Sequence, residues 1–242
     1  MKKTILLICT CLCVYLLSAQ EKIVNDSRAQ LRDVGSFHGI HVATGIQLYL
    51  TQGIEEKVAV SADTKESRDR IISEVEDGVL HIYFDYKKDL FSSDQKNRNL
   101  RAYVSCKMID QLEASSGAQV ELEGTVHSTD MKMVFSSGAA CKGAISVKQV
   151  QISQSSGAQT VFSGEAENII ARASSGSQID ATELVAAEGD AHASSGGRIS
   201  LRISKSLVAS AHSGGDISYA SDDAQHPSIT INTSSGGQVS RK

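Results

Sequence analysis

A Ser-Ser-Gly triplet returns about every twenty residues through the second half of this chain, and that period constrains the fold more than any other feature. It occurs at Ser115-Ser116-Gly117, Ser136-Ser137-Gly138, Ser155-Ser156-Gly157, Ser174-Ser175-Gly176, Ser194-Ser195-Gly196 and Ser234-Ser235-Gly236, with a reduced copy at His212-Ser213-Gly214. Successive glycines stand 21, 19, 19, 20, 18 and 22 residues apart. Self-similarity at such a period marks stacked units rather than a domain built round one centre.

Alignment on the glycine separates an apolar set of columns from a polar one. Three residues after it stand Val120, Cys141, Thr160, Ile179, Ile199, Ile217 and Val239, and five before it Leu112, Met133, Ile152, Ala171, Ala191, Ala209 and Ile231. The residue directly after it is always small, and the next is mostly polar: Gln119, Ala140, Gln159, Gln178, Arg198, Asp216, Gln238. Inside and outside alternate with period two, the signature of a strand.

Strands on both sides of a small-residue bend, repeated every coil, predict an all-β, right-handed parallel β-helix of about 20 residues per coil, with coils about 4.8 Å apart. The second serines, Ser116, Ser137, Ser156, Ser175, Ser195, Ser213 and Ser235, share parity with the apolar columns, so they are expected to point inward at a narrow corner. A buried hydroxyl without a partner costs about 1–3 kcal/mol, which predicts a ladder of serines bonded to one another or to freed backbone groups. The glycine supplies a positive φ or a close approach at the bend. A flexible Ser/Gly linker is disfavoured by the regular Ile, Val and Leu columns. A nucleophilic serine is disfavoured because seven equivalent copies make no single constellation and no Gly-x-Ser-x-Gly elbow is present.

The first nineteen residues read as a secretory signal peptide: Lys2 and Lys3, an apolar run from Ile5 to Leu17, then Ser18-Ala19 before a cleavage point at Gln20. Gln20 stands where a lipidated cysteine would be needed, so no lipoprotein and no retained transmembrane segment are expected. Without Lys2 and Lys3 the chain carries 22 basic and 28 acidic residues, a balance of −6 that argues against a nucleic-acid partner. Cys106 and Cys141 remain after cleavage and are expected as buried thiols rather than a disulfide, although an exported location permits one. Pro227, within the longest repeat interval, suggests a loop over 221–227.

The expected organisation is a signal peptide at 1–19, a linker at 20–36, an irregular N-terminal β region and cap at 37–106, and the repeat β-helix at 107–242. Within 37–106, alternation predicts strands at Ile40–Val42, Ile46–Leu50 and Lys57–Val60, and Asp77-Gly78 between alternating flanks predicts a hairpin. Thr64 to Ile72 suits a short helix capped by Asp63. Lys87 to Asn99 reads as a charged loop.

The order Phe37-His38-Gly39-Ile40-His41-Val42, Gly45-Ile46-Gln47-Leu48-Tyr49-Leu50-Thr51-Gln52-Gly53, Glu74-Val75-Glu76-Asp77-Gly78-Val79-Leu80 and the Ser-Ser-Gly-Ala repeats resembles the putative auto-transporter adhesin, head GIN domain family, found largely in Bacteroidetes. The likeness runs from about Val34 to Val239. Where the family name points to Gly-Ile-Asn, this chain has Gly45-Ile46-Gln47. The resemblance implies an exported protein of the envelope, in the periplasm or at the cell surface, with an adhesive role.

Residue chemistry adds few competing readings. His38 and His41 are three apart on a strand and hence on opposite faces, and His192 and His212 occupy different columns, so solvated histidines and no metal site are expected. The acids of the outer column Glu121, Lys142, Val161, Asp180, Ser200, Ser218, Ser240 are scattered, and Asp180 with Glu183 has no adjoining acid in register, which disfavours a calcium site or a two-carboxylate glycosidase. Neither catalytic residues nor a cofactor are predicted. With no Trp in the chain, a ligand surface is sought at Tyr83 and Tyr86, beside Phe84 and Phe91, or along Gln119, Gln159 and Gln178. The reading is a non-enzymatic envelope module of adhesin type that binds a glycan or protein. A periplasmic structural or regulatory protein comes second, and a polysaccharide lyase-like enzyme third. An open C-terminal edge near Ile229, Ile231 and Val239 further predicts weak homodimerisation.

Overall fold

A computed structural model describes residues 26–86, 98–221 and 227–242. The signal peptide with its cleavage point, Phe91 and most of the 87–99 and 221–227 stretches lie outside the described residues. The described chain is nearly all-β and most of it forms a parallel β-solenoid of about six coils.

Five long strands make the central coils: β9 (Gln119–Phe135), β10 (Ala140–Gln154), β11 (Gln159–Ala173), β12 (Gln178–Ala193) and β13 (Arg198–Ala211). Each pairs in parallel with the next, so the column Val120, Cys141, Thr160, Ile179, Ile199 of the repeat is a column in space. The stack continues through β14 (Asp216–Ala220), β15 (Ser228–Thr233) and β16 (Gln238–Arg241). Alternation works as the repeat implies: one parity fills the core, with Met133, Ile152, Ala171, Ala191 and Ala209 fully buried in one line. Across the core, the rings of Phe135 on β9 and Phe162 on β11, which belong to different lines, approach to 6.4 Å. Ile231 ends the first line and is 48% exposed, because β15 has a described neighbour on one side only.

The triplet itself corrects the expected serine column. Ser116 (φ 51°) and Gly117 (φ 73°) are both left-handed, and the Ala118 N–H donates to the Ser115 carbonyl at 3.1 Å. Two consecutive left-handed residues make a type I′ turn, whose tip swings away from the core while the inward parity resumes unchanged after it, Ala114 and Ala118 both being buried. Ser116, Ser137, Ser156, Ser175, Ser195, Ser213 and Ser235 are therefore exposed, each with φ near 50°. The corner is filled instead by the small residue after the glycine. A Cβ added at Gly215 would lie 2.3 Å from the Ala193 carbonyl oxygen, so this position leaves no space. In place of the expected hydroxyl ladder, the backbone bonds coil to coil: Gly117 N–H donates to Ser137 O (3.0 Å), Gly138 to Ser156 (3.0 Å), Gly157 to Ser175 (3.1 Å) and Gly176 to Ser195 (3.2 Å).

The N-terminal third belongs to the same stack. β2 (Gly39–Val42) and β3 (Gln47–Gln52) are joined by Thr44 (φ 61°) and Gly45 (φ 71°), the same turn in other residues. β2 pairs in parallel with β8 (Gln111–Ala114), and β3 with β9. On their other side lie β6 (Val79–Phe84) and β7 (Arg101–Cys106), also parallel. Antiparallel strands flank this end: β5 (Ile71–Glu76) forms the predicted Asp77-Gly78 hairpin with β6, β4 (Lys57–Ser61) pairs with β7, and β1 (Gln30–Arg32), inside the expected linker, pairs with β4. The short helix α1 (Lys65–Arg68) is capped by Thr64, whose hydroxyl accepts from Ser67 N–H at 3.1 Å. Asp63, the expected cap, binds Arg28 instead at 3.1 Å.

Candidate functional site

Between the turns the chain presents two outer faces that meet at the Ser-Gly corner. On the face after the turn, register aligns Gln47, Gln119, Ala140, Gln159, Gln178, Arg198, Asp216 and Gln238 in one row. Gln119, Gln159 and Gln178 are exposed, as expected of a polar column. Ala140 separates Gln119 from Gln159, so of these three Gln159 and Gln178 alone are direct neighbours. Gln47 extends the row downward and was not picked out from the sequence, because its turn lacks the triplet. The exposed second serines run beside this row along the corner.

Tyr83 and Tyr86 do not join the glutamine row. Tyr83 is on β6, on the face before the turn, where its hydroxyl donates to Glu74 Oε1 at 2.9 Å. The ring of Tyr86 is 45% exposed and packs edge-on against the buried Phe84 at 4.8 Å. Arg70 lies 4.5 Å over the Phe84 ring and Arg98 5.0 Å, so cations cover the faces of this aromatic cluster. A second pair is stacked on the face after the turn: Tyr49 and Tyr103, 5.3 Å apart at 11°. The Tyr103 hydroxyl donates to Asp26 Oδ2 at 2.9 Å, and burial together with that contact pushes its pKa to about 12.

Two histidines are less solvated than the sequence suggests, while His38 and His212 are exposed as expected. His41 and His81 are in register on β2 and β6, with Nδ1 atoms 3.3 Å apart, and both are half-buried. Burial holds the His41 imidazole below its ordinary pKa against the pull of Glu113. His38 instead bonds Asp110 at 2.8 Å on the exposed surface. Among the described residues, no three His, Cys, Asp or Glu side chains converge as a metal cluster. Cys106 and Cys141 are both buried and unbridged. Burial pushes the Cys106 thiol up to about 12 and that of Cys141 still higher.

The outer acids stay apart. Glu121 pairs with Lys142 at 3.5 Å, and Asp180 accepts from the Thr182 N–H and hydroxyl at 3.1 and 2.7 Å. One open groove of about 340 Å³ crosses β9, β10 and β11, lined by Ser128, Ser146, Val147, Lys148, Glu165 and Glu167 with Ala166. Ser146 donates to Glu165 Oε1 there at 3.0 Å. No helix among the described residues is long and apolar enough to cross a membrane.

A parallel β-solenoid with polar rows along both sides of a repeated corner defines a scaffold that offers extended surfaces rather than a deep pocket. The chain belongs to the family described as putative auto-transporter adhesin, head GIN domain, whose sequence profile matches residues 36–222. Solved structures share the fold at low identity. A putative adhesin from Bacteroides fragilis NCTC 9343 superposes with a TM-score of 0.74 at 15% identity, covering 88% of this chain and 96% of that one. A putative adhesin from Parabacteroides merdae ATCC 43184 gives 0.67 at 14%, covering 90% and 97%. A putative lipid binding protein from Parabacteroides distasonis ATCC 8503 gives 0.66 at 16%, covering 90% and 98%. No curated protein matches the chain.

Proposed function

We propose that the protein is an exported, adhesin-like and non-enzymatic module of the cell envelope, which binds an extended glycan or protein along its Ser-Gly corner. The observation that carries this reading is the corner itself. Exposed serines of successive coils stand beside Gln119, Gln159 and Gln178, all held in parallel register. Such a row repeats its hydrogen-bonding groups at the inter-strand spacing of about 4.8 Å. A long ligand then makes many weak contacts at once, and their multiplicity raises avidity well above that of one contact. Membership of an adhesin-named family and the adhesin-named structures of the same fold support the reading.

The test is binding of the purified protein to arrays of immobilised glycans and envelope or matrix proteins. The triple variant Gln119→Ala, Gln159→Ala, Gln178→Ala should lose at least about tenfold in apparent affinity, since avidity multiplies small per-site losses. Binding unaffected by that variant would move the ligand surface elsewhere, and turnover of any polysaccharide would overturn the non-enzymatic reading. Protease shaving of intact cells, with detection of the protein, separates a surface location from a periplasmic one.

A further inference from the structure

On the face before the turns, four neighbouring strands carry Glu74, His81, His41 and Glu113 in a single row. Glu74 of β5 opposes His81 of β6 across the hairpin, His81 lies beside His41 of β2, and His41 beside Glu113 of β8. The imidazoles meet through like atoms, Nδ1 to Nδ1 at 3.3 Å, with ring planes at 84°. On its other side His41 Nε2 stands 3.4 Å from Ser115 Oγ.

We propose that His41 and His81 chelate a divalent transition-metal ion, Zn²⁺, Ni²⁺ or Cu²⁺, through their Nδ1 atoms, with the remaining coordination positions open to water or to a donor atom of a bound ligand.

The distance between the nitrogens carries the argument. Zinc sits about 2.05 Å from imidazole nitrogen, so two nitrogens 3.3 Å apart subtend about 107° at the ion, close to the tetrahedral angle. The tautomers also suit it. An Nε2–H of His41 donated to the Ser115 hydroxyl leaves Nδ1 with its lone pair, and a hydrogen-bonded distal nitrogen is the usual support of a ligating histidine. Without an ion, His81 Nδ1–H donates to His41 Nδ1. When an ion enters, that proton leaves His81 Nδ1 and another is taken up from solvent at Nε2, so the neutral pair binds with no net proton release.

The surrounding charges favour a cation. Glu74, fixed by the Tyr83 hydroxyl, and Glu113, fixed by the Gln111 amide at 3.0 Å, flank the pair at the two ends of the row. Lys132, on the next strand and facing Gln111, lies in a different row. Nitrogen ligands select Zn²⁺, Ni²⁺ or Cu²⁺ over Ca²⁺ and Mg²⁺, which prefer oxygen. With two protein ligands the site is an open one, unlike the closed four-ligand sites that fold small domains.

The test uses protein with a non-histidine tag, stripped with a chelator and titrated with ZnCl₂ by calorimetry and by nitrogen-detected NMR of the imidazoles. The expected result is saturation at one equivalent, with the Nδ1 resonances of His41 and His81 both shifting. His41→Gln and His81→Gln should each weaken binding at least about tenfold while His127→Gln leaves it unchanged. Unshifted Nδ1 resonances at one equivalent of zinc, or equal binding by all variants, would overturn the proposal. The NMR readout is taken on unaltered protein, so it stands even where a variant folds poorly.

Discussion

The Gly45 N–H donates to the Ser116 carbonyl at 3.0 Å, the same bond that Gly117 makes to Ser137 one coil further on. Thr44-Gly45 is thus the first member of the turn ladder, 72 residues before the first full triplet's glycine. The ladder needs two left-handed residues; it needs neither serine nor, as the buried Ile46 shows at this first turn, a small residue after them.

Gly214 and Gly215 are adjacent yet should respond differently to alanine. At Gly214 (φ 72°) a Cβ would meet nothing within 4 Å, so the substitution costs only backbone strain, about 1–2 kcal/mol. At Gly215 it would press on the Ala193 backbone at 2.3 Å, and overpacking adds about 1–3 kcal/mol where nothing can move aside. Thermal unfolding should rank Gly215→Ala clearly below Gly214→Ala. An equal Tm for the two would mean that the coil spacing relaxes freely at this corner.

Gln154 is a buried amide in the inner line between Phe135 and Ala173. Oriented to satisfy both ends, it accepts from the Thr160 hydroxyl and donates to the carbonyls of Ala158 (3.2 Å) and Gln178 (3.0 Å). Gln154→Leu strands the buried Thr160 hydroxyl, at about 1–3 kcal/mol. Adding Thr160→Val removes that orphan, so urea unfolding should find the double variant less destabilised than the sum of the singles, with a coupling of at least about 0.5 kcal/mol. Additive singles would show that the two side chains act independently.

Neither thiol should react in the folded state. The thiolate is the nucleophile, and burial holds Cys106 near a pKa of about 12 and Cys141 higher. A disulfide reagent at pH 8 should therefore label no described cysteine until denaturant is added, and then both. Rapid labelling of native protein would indicate local opening of β7 or β10.

Tyr103 links stability to alkaline pH. Its folded pKa, about 12, lies above the unfolded value of about 10. The contribution is therefore fully present below about pH 10 and is lost as pH rises through about 12. The Tm of unaltered protein should fall over that interval, and its advantage over Tyr103→Phe should shrink with it. A constant difference across the interval would show that Tyr103 ionises as it does in the unfolded chain.

The core columns could be read from the chain because stacked parallel coils repeat each inner position at one sequence period. Val120, Cys141 and Thr160 are neighbours in sequence alignment and in space for the same reason. The serines were misplaced because alternation was carried straight through the turn itself: Ala114 and Ala118 keep the inward parity on either side of it, whereas Ser116 and Gly117 form its left-handed tip and stand outside. His41 and His81 were missed because they are 40 residues apart and are brought together by a parallel pairing whose register no repeat announces. Tyr83 was singled out as an aromatic candidate, whereas the structure ties its hydroxyl to Glu74, diagonally across the hairpin in which Tyr83 opposes Ile72 and Glu74 opposes His81.

The backbone ladder also sets how the molecule bears load. Each coil is tied to the next by bonds that all run along the solenoid axis, so tension along that axis pulls on a whole rung of them, while tension at one end of the chain works on them one after another like the teeth of a zip. A released coil of about twenty residues yields up to about 70 Å of extended chain. A tether between a cell and its attachment point would lengthen in steps of that size, dissipating a sudden pull rung by rung while the remaining coils keep their shape.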